Sequence, residues 1–167
     1  AIQVFSIQHL ALPIGLGNVS PNKGELPMDV VMDAAALEAF LANDFTQVSN
    51  DFSILSVTAD VLHVRLNIEE KHLRPGGTVS GPSMFALADV AVYLAILSRL
   101  GPVGLAVTTS CSIDFMRKPA AGVALVAETR LLKLGRVLAV GDVLIRSEGS
   151  DKPVARASLT YSIPPKS

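Results

Sequence analysis

Residues 83–100, with the sequence SMFALADVAVYLAILSRL, constrain the fold of this chain more than any other segment. Between residues 85 and 97 the only charged side chain is that of Asp89. Pro82 is favourable in the first turn of a helix, and the pair Gly101-Pro102 is typical of a helix end. A helix that is apolar on every side is predicted to lie inside a protein. The rest of the chain must therefore wrap around it.

The remaining segments are typical of β-strands, because apolar and polar residues alternate or Val, Thr and Ile predominate. The predicted strands span residues 52–58, 61–68, 106–115, 123–134, 136–146 and 154–163. Tight links at residues 59–60 and at Gly135 predict hairpins. A short helix is predicted over residues 33–41, with Asp33 as its N-cap. An antiparallel sheet that curls around one long central helix gives an α+β fold.

The composition excludes several classes of protein. Half of the 167 residues are hydrophobic and the net charge is −1, which excludes intrinsic disorder and a basic nucleic-acid surface. The longest uncharged stretch, residues 1–22, contains Pro, Gly and polar residues and lacks the basic start of a signal peptide. We therefore expect no membrane span and a cytoplasmic location. Residues 1–32 are expected to be an N-terminal extension, and residues 33–167 a single domain.

Asp89 is the unusual residue of the central helix. An ionised carboxylate among Phe, Leu, Val and Ala side chains is costly unless it is paired or reaches a cleft. Two interpretations stay open at this point. Asp89 is either a buried acid satisfied by backbone or hydroxyl donors, or a catalytic base or nucleophile at the edge of a pocket.

The loop before the helix, RPGGTVSGP at residues 74–82, offers a complementary group. A helix N-terminus presents unpaired N–H groups and a positive dipole end, which suit the oxyanion formed from an acyl carbonyl. Gly81 keeps its N–H and lets a substrate approach the backbone. Asp89 lies about 12 Å further along the axis, at about 1.5 Å per residue, so one chain cannot bring both groups to one carbonyl. A dimer could place Gly81 of one subunit opposite Asp89 of the other.

The segments GTVSGP at 77–82 and LAD at 87–89 resemble the GT-x-HGG…L-x-D pattern of hotdog-fold acyl-CoA thioesterases, in their phenylacetate-degradation (PaaI-like) branch. The resemblance continues through FMRKPA at 115–120 and LKLGR at 132–136, and it covers about residues 33–163. It implies a hotdog fold, in which a curved antiparallel sheet wraps around a long helix. It also implies a homodimer with two sites at the interface, or a tetramer built as a dimer of dimers.

The resemblance implies roles for individual residues. The backbone N–H of Gly81 would polarise the thioester carbonyl of an acyl-CoA, and Asp89 would attack the thioester directly or activate water. A strand Ser or Thr that orients the water in the family aligns best with Thr108, with Thr109 beside it. Arg117 follows a strand and is a candidate for contact with the phosphates of CoA.

Three positions depart from the family pattern. Ser80 stands where the family has a His, and Pro82 stands where it has a second Gly. Arg74 occupies the position at which some members have an Asn that holds the nucleophilic water. We expect these three residues near the substrate, with Arg74 either contacting it or pairing with Asp89.

Two other functions remain as alternatives. The departures from the motif favour a hotdog module that binds acyl-CoA without turnover. A hydratase or dehydratase on the same fold would need a His paired with a carboxylate, and His72 is the nearest to Asp89 in the chain. No metal or other cofactor is expected, because three His and one Cys lie at unrelated spacings. The single cysteine, Cys111, is predicted to be a buried strand residue rather than a nucleophile.

Overall fold

A computed structural model describes residues 29–165 of the chain, so most of the predicted N-terminal extension, residues 1–32, lies outside the described residues. The two helices are α1 (Ala34–Asp44) and α2 (Gly81–Leu100). The strands are β1 (Phe52–Val57), β2 (Leu62–Leu66), β3 (Leu73–Arg74), β4 (Thr78–Val79), β5 (Val107–Phe115), β6 (Leu125–Leu134), β7 (Leu138–Ser147) and β8 (Pro153–Ser162). Asp33 caps α1 as predicted, by accepting a hydrogen bond from the N–H of Ala36.

Six strands form one antiparallel sheet in the order β1-β2-β6-β7-β8-β5. The hairpins predicted at β1–β2 and β6–β7 are present, and β7 pairs with β8 after a short turn. β5 follows α2 in the chain and joins the sheet at its far edge by pairing with β8. Within the described part of the chain, the other side of β5 has no strand beside it.

The inner face of the sheet packs around α2, as predicted. Leu87, Leu94, Ile96 and Leu97 are fully buried against side chains of the sheet. By length and composition α2 could cross a membrane, but 72% of its most apolar window is buried inside the protein. The helix therefore has the burial expected of the core of an α+β domain.

The prediction that α2 is buried on every side needs one correction. Phe85 is 40% exposed, and Asp89 and Tyr93 are each half-buried. Residues four apart in a helix lie on the same face. Within one chain the sheet therefore leaves one stripe of α2 open, and Asp89 lies in the middle of that stripe.

The loop predicted over residues 74–82 contains a small hairpin that the sequence did not predict. β3 pairs with β4 across Gly76 and Gly77, whose φ angles of 99° and 73° favour glycine. After β4, Ser80 caps α2 by accepting a hydrogen bond of 3.3 Å from the N–H of Ser83. The helix therefore begins at Gly81, and Pro82 lies in its first turn as predicted.

The central helix α2 packs closely against β7 at Gly141. A Cβ atom at Gly141 would lie 2.9 Å from both Cγ atoms of the fully buried Val92. We predict that Gly141→Ala lowers the free energy of unfolding by about 1–3 kcal/mol, because overpacking a core forces side chains or backbone to shift. Chemical denaturation measures this change.

The matched control is Gly104→Ala, because nothing lies within 4 Å of a Cβ atom at Gly104. Its unfolding free energy should not fall by more than about 0.5 kcal/mol. In combination with Val92→Ala, the cost of Gly141→Ala should shrink, since the crowded methyl groups are then absent. A Gly141→Ala protein as stable as wild type would contradict the close approach of α2 to β7.

Candidate active site

Asp89 is held by two hydroxyl groups rather than by a cation. Its Oδ1 accepts hydrogen bonds from the hydroxyl of Thr108 at 2.5 Å and from the hydroxyl of Tyr161 at 2.7 Å. The Tyr161 hydroxyl also lies 2.8 Å from the backbone oxygen of Asp89. Among residues 29–165, no Lys or Arg forms an ion pair with Asp89 and no donor reaches its Oδ2. One carboxylate oxygen is therefore fixed, and the other has no protein partner within this part of the chain.

The register of two strands brings these hydroxyls to the same oxygen. Thr108 and Tyr161 lie directly opposite each other in the pairing of β5 with β8. The register shifts immediately after Thr108, so Thr109 is the extra residue of a β-bulge. The hydroxyl of Thr109 donates to the backbone oxygen of Thr160 at 3.2 Å and is exposed. The bulge therefore separates the two threonines: only Thr108 reaches Asp89.

Tyr161 is a candidate functional residue that the sequence did not identify. The alternating pattern of the last strand places it correctly on the core face, where it is 2% exposed. Burial raises the pKa of Tyr161 well above its usual range, and the nearby charge of Asp89 raises it further. The hydroxyl is therefore protonated and acts as a donor. The sequence offers only a general reason to consider Tyr161, because a buried Tyr hydroxyl needs a hydrogen-bond partner.

Asp89 opens into a cleft of about 570 Å³ between α1, α2 and the start of β5. One wall of this cleft is aromatic. The rings of Tyr93 and Tyr161 stack with their centroids 6.4 Å apart, and Phe40 and Phe45 each pack against Tyr93 at 6.1 Å. We call this space the Asp89 cleft. The Asp89 carboxylate thus lies beside apolar surface, and the hydroxyl groups of Thr108 and Tyr161 bind it from one side.

Gly81 lies in a second cleft, of about 430 Å³. We call this space the Gly81 cleft; its lining includes the cationic side chains of Arg74, Arg117 and Lys118. Arg117 donates to the backbone oxygen of Pro153 at 2.8 Å. The N–H of Gly81 is the first of α2, and it makes no hydrogen bond to any residue in the range 29–165. The cleft therefore combines a free helix N-terminal donor with three positive charges.

The structure does not bring Gly81 and Asp89 together within one chain. They lie on the same rigid helix, about 12 Å apart along its axis, and open into different clefts. The pairing of Arg74 with Asp89 is likewise absent within one chain, because Arg74 lines the Gly81 cleft and its Nε donates to Thr78 Oγ1 at 3.3 Å. The candidate site is thus split into two halves.

Ser80 and Pro82, which replace the His and the second Gly of the family motif, both lie at the start of α2 and have structural roles there. Ser80 is the N-cap, and its hydroxyl lies 2.9 Å from that of Ser83. Pro82 is exposed in the first turn, where the absence of an N–H costs no hydrogen bond. Neither residue blocks the N–H of Gly81.

His72 does not reach either cleft. It ends a 3₁₀ turn at Glu70–His72 and is 7% exposed. Its Nδ1 accepts a hydrogen bond from the N–H of Glu69 at 2.9 Å, and its Nε2 lies 3.4 Å from a carboxylate oxygen of Asp51. This arrangement gives no support to the hydratase alternative, which needs His72 near Asp89.

Comparisons with known proteins agree on one family. The family model described as Thioesterase superfamily matches residues 76–154. A proposed esterase from Pseudomonas aeruginosa is 34% identical over 62% of this chain and 75% of its own length. The crystal structure of a proposed thioesterase from Silicibacter sp. TM1040 is 56% identical, with a TM-score of 0.78 over 83% of this chain and 96% of that one. A mutant of the phenylacetic acid degradation protein PaaI from Thermus thermophilus is 30% identical, with a TM-score of 0.60 over 72% of this chain and 100% of that one.

The single cysteine provides a test of where the charge of Asp89 lies. Burial raises the pKa of the Cys111 thiol, and the negative charge of Asp89 adds to this effect. We predict that iodoacetamide labels Cys111 slowly in the folded protein and that Asp89→Asn accelerates labelling severalfold, because loss of the charge lowers the thiol pKa. Intact-protein mass spectrometry follows the reaction.

The control for this experiment is Asp114→Asn. Asp114 is exposed on the same strand as Cys111, and its charge does not contribute to the shift of the thiol pKa. Its labelling rate should equal that of wild type. If Asp89→Asn is also labelled at the wild-type rate, the carboxylate does not lie where the structure puts it.

Proposed function

The chain belongs to the thioesterase superfamily, and we propose that it hydrolyses an acyl-CoA thioester to a free acid and CoA at sites shared between two subunits. The hotdog fold and the PaaI-like branch predicted from the sequence are confirmed, and the relatives support a thioester hydrolase. One observation carries the proposed acyl-CoA hydrolysis. The Asp89 carboxylate lies on the open stripe of α2 and borders a cleft with an aromatic wall, and hydroxyl donors hold one of its two oxygens.

The Gly81 N–H is the proposed oxyanion donor. When water or a carboxylate attacks the thioester carbonyl, negative charge develops on the carbonyl oxygen. A free N–H at a helix N-terminus stabilises that charge, and one such donor typically contributes about 3 kcal/mol to the transition state. The motif departures at Ser80 and Pro82 leave this donor free, which favours turnover over binding alone.

Asp89 is the proposed nucleophile or general base. As a base it takes a proton from water while the water oxygen attacks the carbonyl carbon. As a nucleophile it forms a mixed anhydride, which water then cleaves. In both cases the C–S bond breaks and CoA leaves as a thiolate that takes up a proton. Thr108 donates its hydroxyl proton in a hydrogen bond to Asp89, so its oxygen can accept a hydrogen bond from the attacking water and orient it.

A dimer formed through β5 would complete the site. An edge strand presents unpaired N–H and C=O groups, which natural proteins cover or pair. The edge here spans nine residues, and exposed apolar side chains, Val107 at 56% and Phe115 at 53%, lie at its two ends. Pairing β5 with β5 of a second copy about a two-fold axis would continue the sheet. The open stripes of the two α2 helices would then face each other, with Gly81 of one beside Asp89 of the other.

The two clefts suit the two ends of an acyl-CoA. Arg74, Arg117 and Lys118 in the Gly81 cleft concentrate positive charge in a chain whose net charge is −1, and phosphates of CoA need such partners. The aromatic wall of the Asp89 cleft suits an apolar acyl group. With Gly81 and Asp89 from different subunits, the thioester would lie at the junction of the two clefts.

A thiol-release assay over acetyl-, hexanoyl-, decanoyl- and benzoyl-CoA tests the proposed function. We predict saturable release of CoA from at least one of the four. For that substrate, Asp89→Asn should lower kcat by at least about 100-fold, because a positioned acid or base contributes that much or more.

The matched control is Asp142→Asn, which removes a carboxylate that pairs with Arg156 on the outer face of the sheet. It should keep the wild-type kcat. Thermal unfolding of both variants checks that they are folded. An Asp89→Asn protein that is folded and as fast as wild type would rule out the assignment of Asp89.

The charge of the Gly81 cleft gives a separate prediction about CoA. We predict that Arg117→Ala raises KM for the best acyl-CoA but leaves KM for the corresponding acyl-pantetheine unchanged, because pantetheine carries no phosphate. Steady-state kinetics with both substrates measures the difference. Arg136→Ala, in the turn between β6 and β7 and outside both clefts, serves as the control. Equal effects of Arg117→Ala on the two substrates would contradict phosphate binding by Arg117.

A further inference from the structure

The Tyr161 hydroxyl has two acceptors where a buried phenol needs only one. It lies 2.8 Å from the backbone oxygen of Asp89 and 2.7 Å from the carboxylate oxygen Oδ1 of the same residue. A hydroxyl placed between these two atoms links the carboxylate to the backbone of its own residue. It therefore restricts the rotation of the Asp89 side chain.

The two donors to Asp89 act on one oxygen only. Thr108 and Tyr161 both donate to Oδ1, and no donor within residues 29–165 reaches Oδ2. Because a carboxylate oxygen has about two lone-pair sites, two hydroxyl donors occupy Oδ1. Oδ2 is left as the oxygen with free lone pairs on a residue that lines the cleft.

The surroundings of Tyr161 make it a rigid donor. It is 2% exposed, lies opposite Ala139 of β7 and opposite Thr108 of β5, and its ring stacks on Tyr93 with an interplanar angle of 20°. Tyr93 is itself held by aromatic contact with Phe40 of α1. Paired strands and stacked rings therefore fix the hydroxyl, and no flexible loop is involved.

We propose that Tyr161 is a positioning residue for thioester hydrolysis: with Thr108 it holds Oδ1 of Asp89 and directs Oδ2 at the reacting water or carbonyl carbon. The inference rests on the proposed function, since it assigns a role within that reaction. In this role the Tyr161 hydroxyl acts through Asp89, to which it is hydrogen-bonded, while the ring remains part of the aromatic wall of the Asp89 cleft.

A purely structural role makes a different prediction. If the hydroxyl only satisfied a buried polar group, its loss would lower stability and leave the chemical step unchanged. If Tyr161 positions the Asp89 carboxylate, releasing the orientation of that carboxylate lowers kcat, while substrate binding stays the same. The separation of kcat from KM therefore distinguishes the two roles.

Tyr161→Phe is the variant that tests the proposal, because it removes the hydroxyl and keeps the stacked ring. Its matched control is Ser98→Ala, which also removes a fully buried hydroxyl that donates to a backbone oxygen, that of Ala95, on the same helix as Asp89. Kinetics use whichever of acetyl-, hexanoyl-, decanoyl- and benzoyl-CoA is hydrolysed fastest. Thermal unfolding is measured for every variant.

We expect kcat of Tyr161→Phe to fall by about 10- to 100-fold, the range that corresponds to loss of one hydrogen bond to a charged group. Its KM should stay within about twofold of wild type, as expected for loss of an interaction made mainly in the transition state. Ser98→Ala should keep the wild-type kcat even where its unfolding midpoint falls as much as that of Tyr161→Phe. In an Asp89→Asn background, Tyr161→Phe should cause no further loss of rate.

Two results would overturn the proposal. One is a Tyr161→Phe protein with the wild-type kcat, while Asp89→Asn is inactive; the proposed function would then stand without this role. The other is an equal loss of kcat in the Asp89→Asn background, which would mean that Tyr161 does not act through the carboxylate. Failure of the proposed function is distinguishable, because either none of the four acyl-CoA substrates would release CoA or Asp89→Asn would be as fast as wild type.

Discussion

The close packing of α2 against the inner face of the sheet decides which of its side chains can meet a substrate. At Gly141 the sheet comes so near that a single added methyl group would collide with Val92. With the helix held at this distance, its apolar residues are enclosed and only one stripe stays open. Asp89 is the charged residue on that stripe, so the enclosure that stabilises the fold also leaves one carboxylate of α2 open to a cleft.

The same enclosure divides the proposed site. A straight helix separates its N-terminal donor at Gly81 from Asp89 by about 12 Å, and the sheet gives each group its own cleft. Positive charge lies with Gly81, and aromatic surface lies with Asp89. The proposed dimer through the β5 edge joins these complementary halves, since a two-fold axis places the start of one helix beside the middle of the other.

Sequence periodicity was sufficient for the sheet, the central helix and the Asp33 cap, because these depend on neighbours along the chain. The sequence also singled out Asp89 and Gly81 as candidate site residues, since a lone carboxylate and a glycine at a helix start are local anomalies. The contact of Tyr161 with Asp89 joins residues 72 positions apart and follows from the register of β5 with β8. The open stripe of α2 depends on how far the sheet extends. Neither feature has a signal within a short window of sequence.

The central claim, that one site takes Gly81 from one subunit and Asp89 from the other, is tested most directly by mixing two inactive proteins. Asp89→Asn removes the carboxylate, and Gly81→Pro removes the N–H, with Gly81→Ala as the control that adds a Cβ atom near Phe115 but keeps the donor. In a mixed dimer one site is intact and the other carries both substitutions. Because half the dimers are mixed after random exchange, the account predicts that thiol release recovers to about a quarter of the wild-type rate. No recovery, with subunit exchange verified by mass spectrometry, would contradict it.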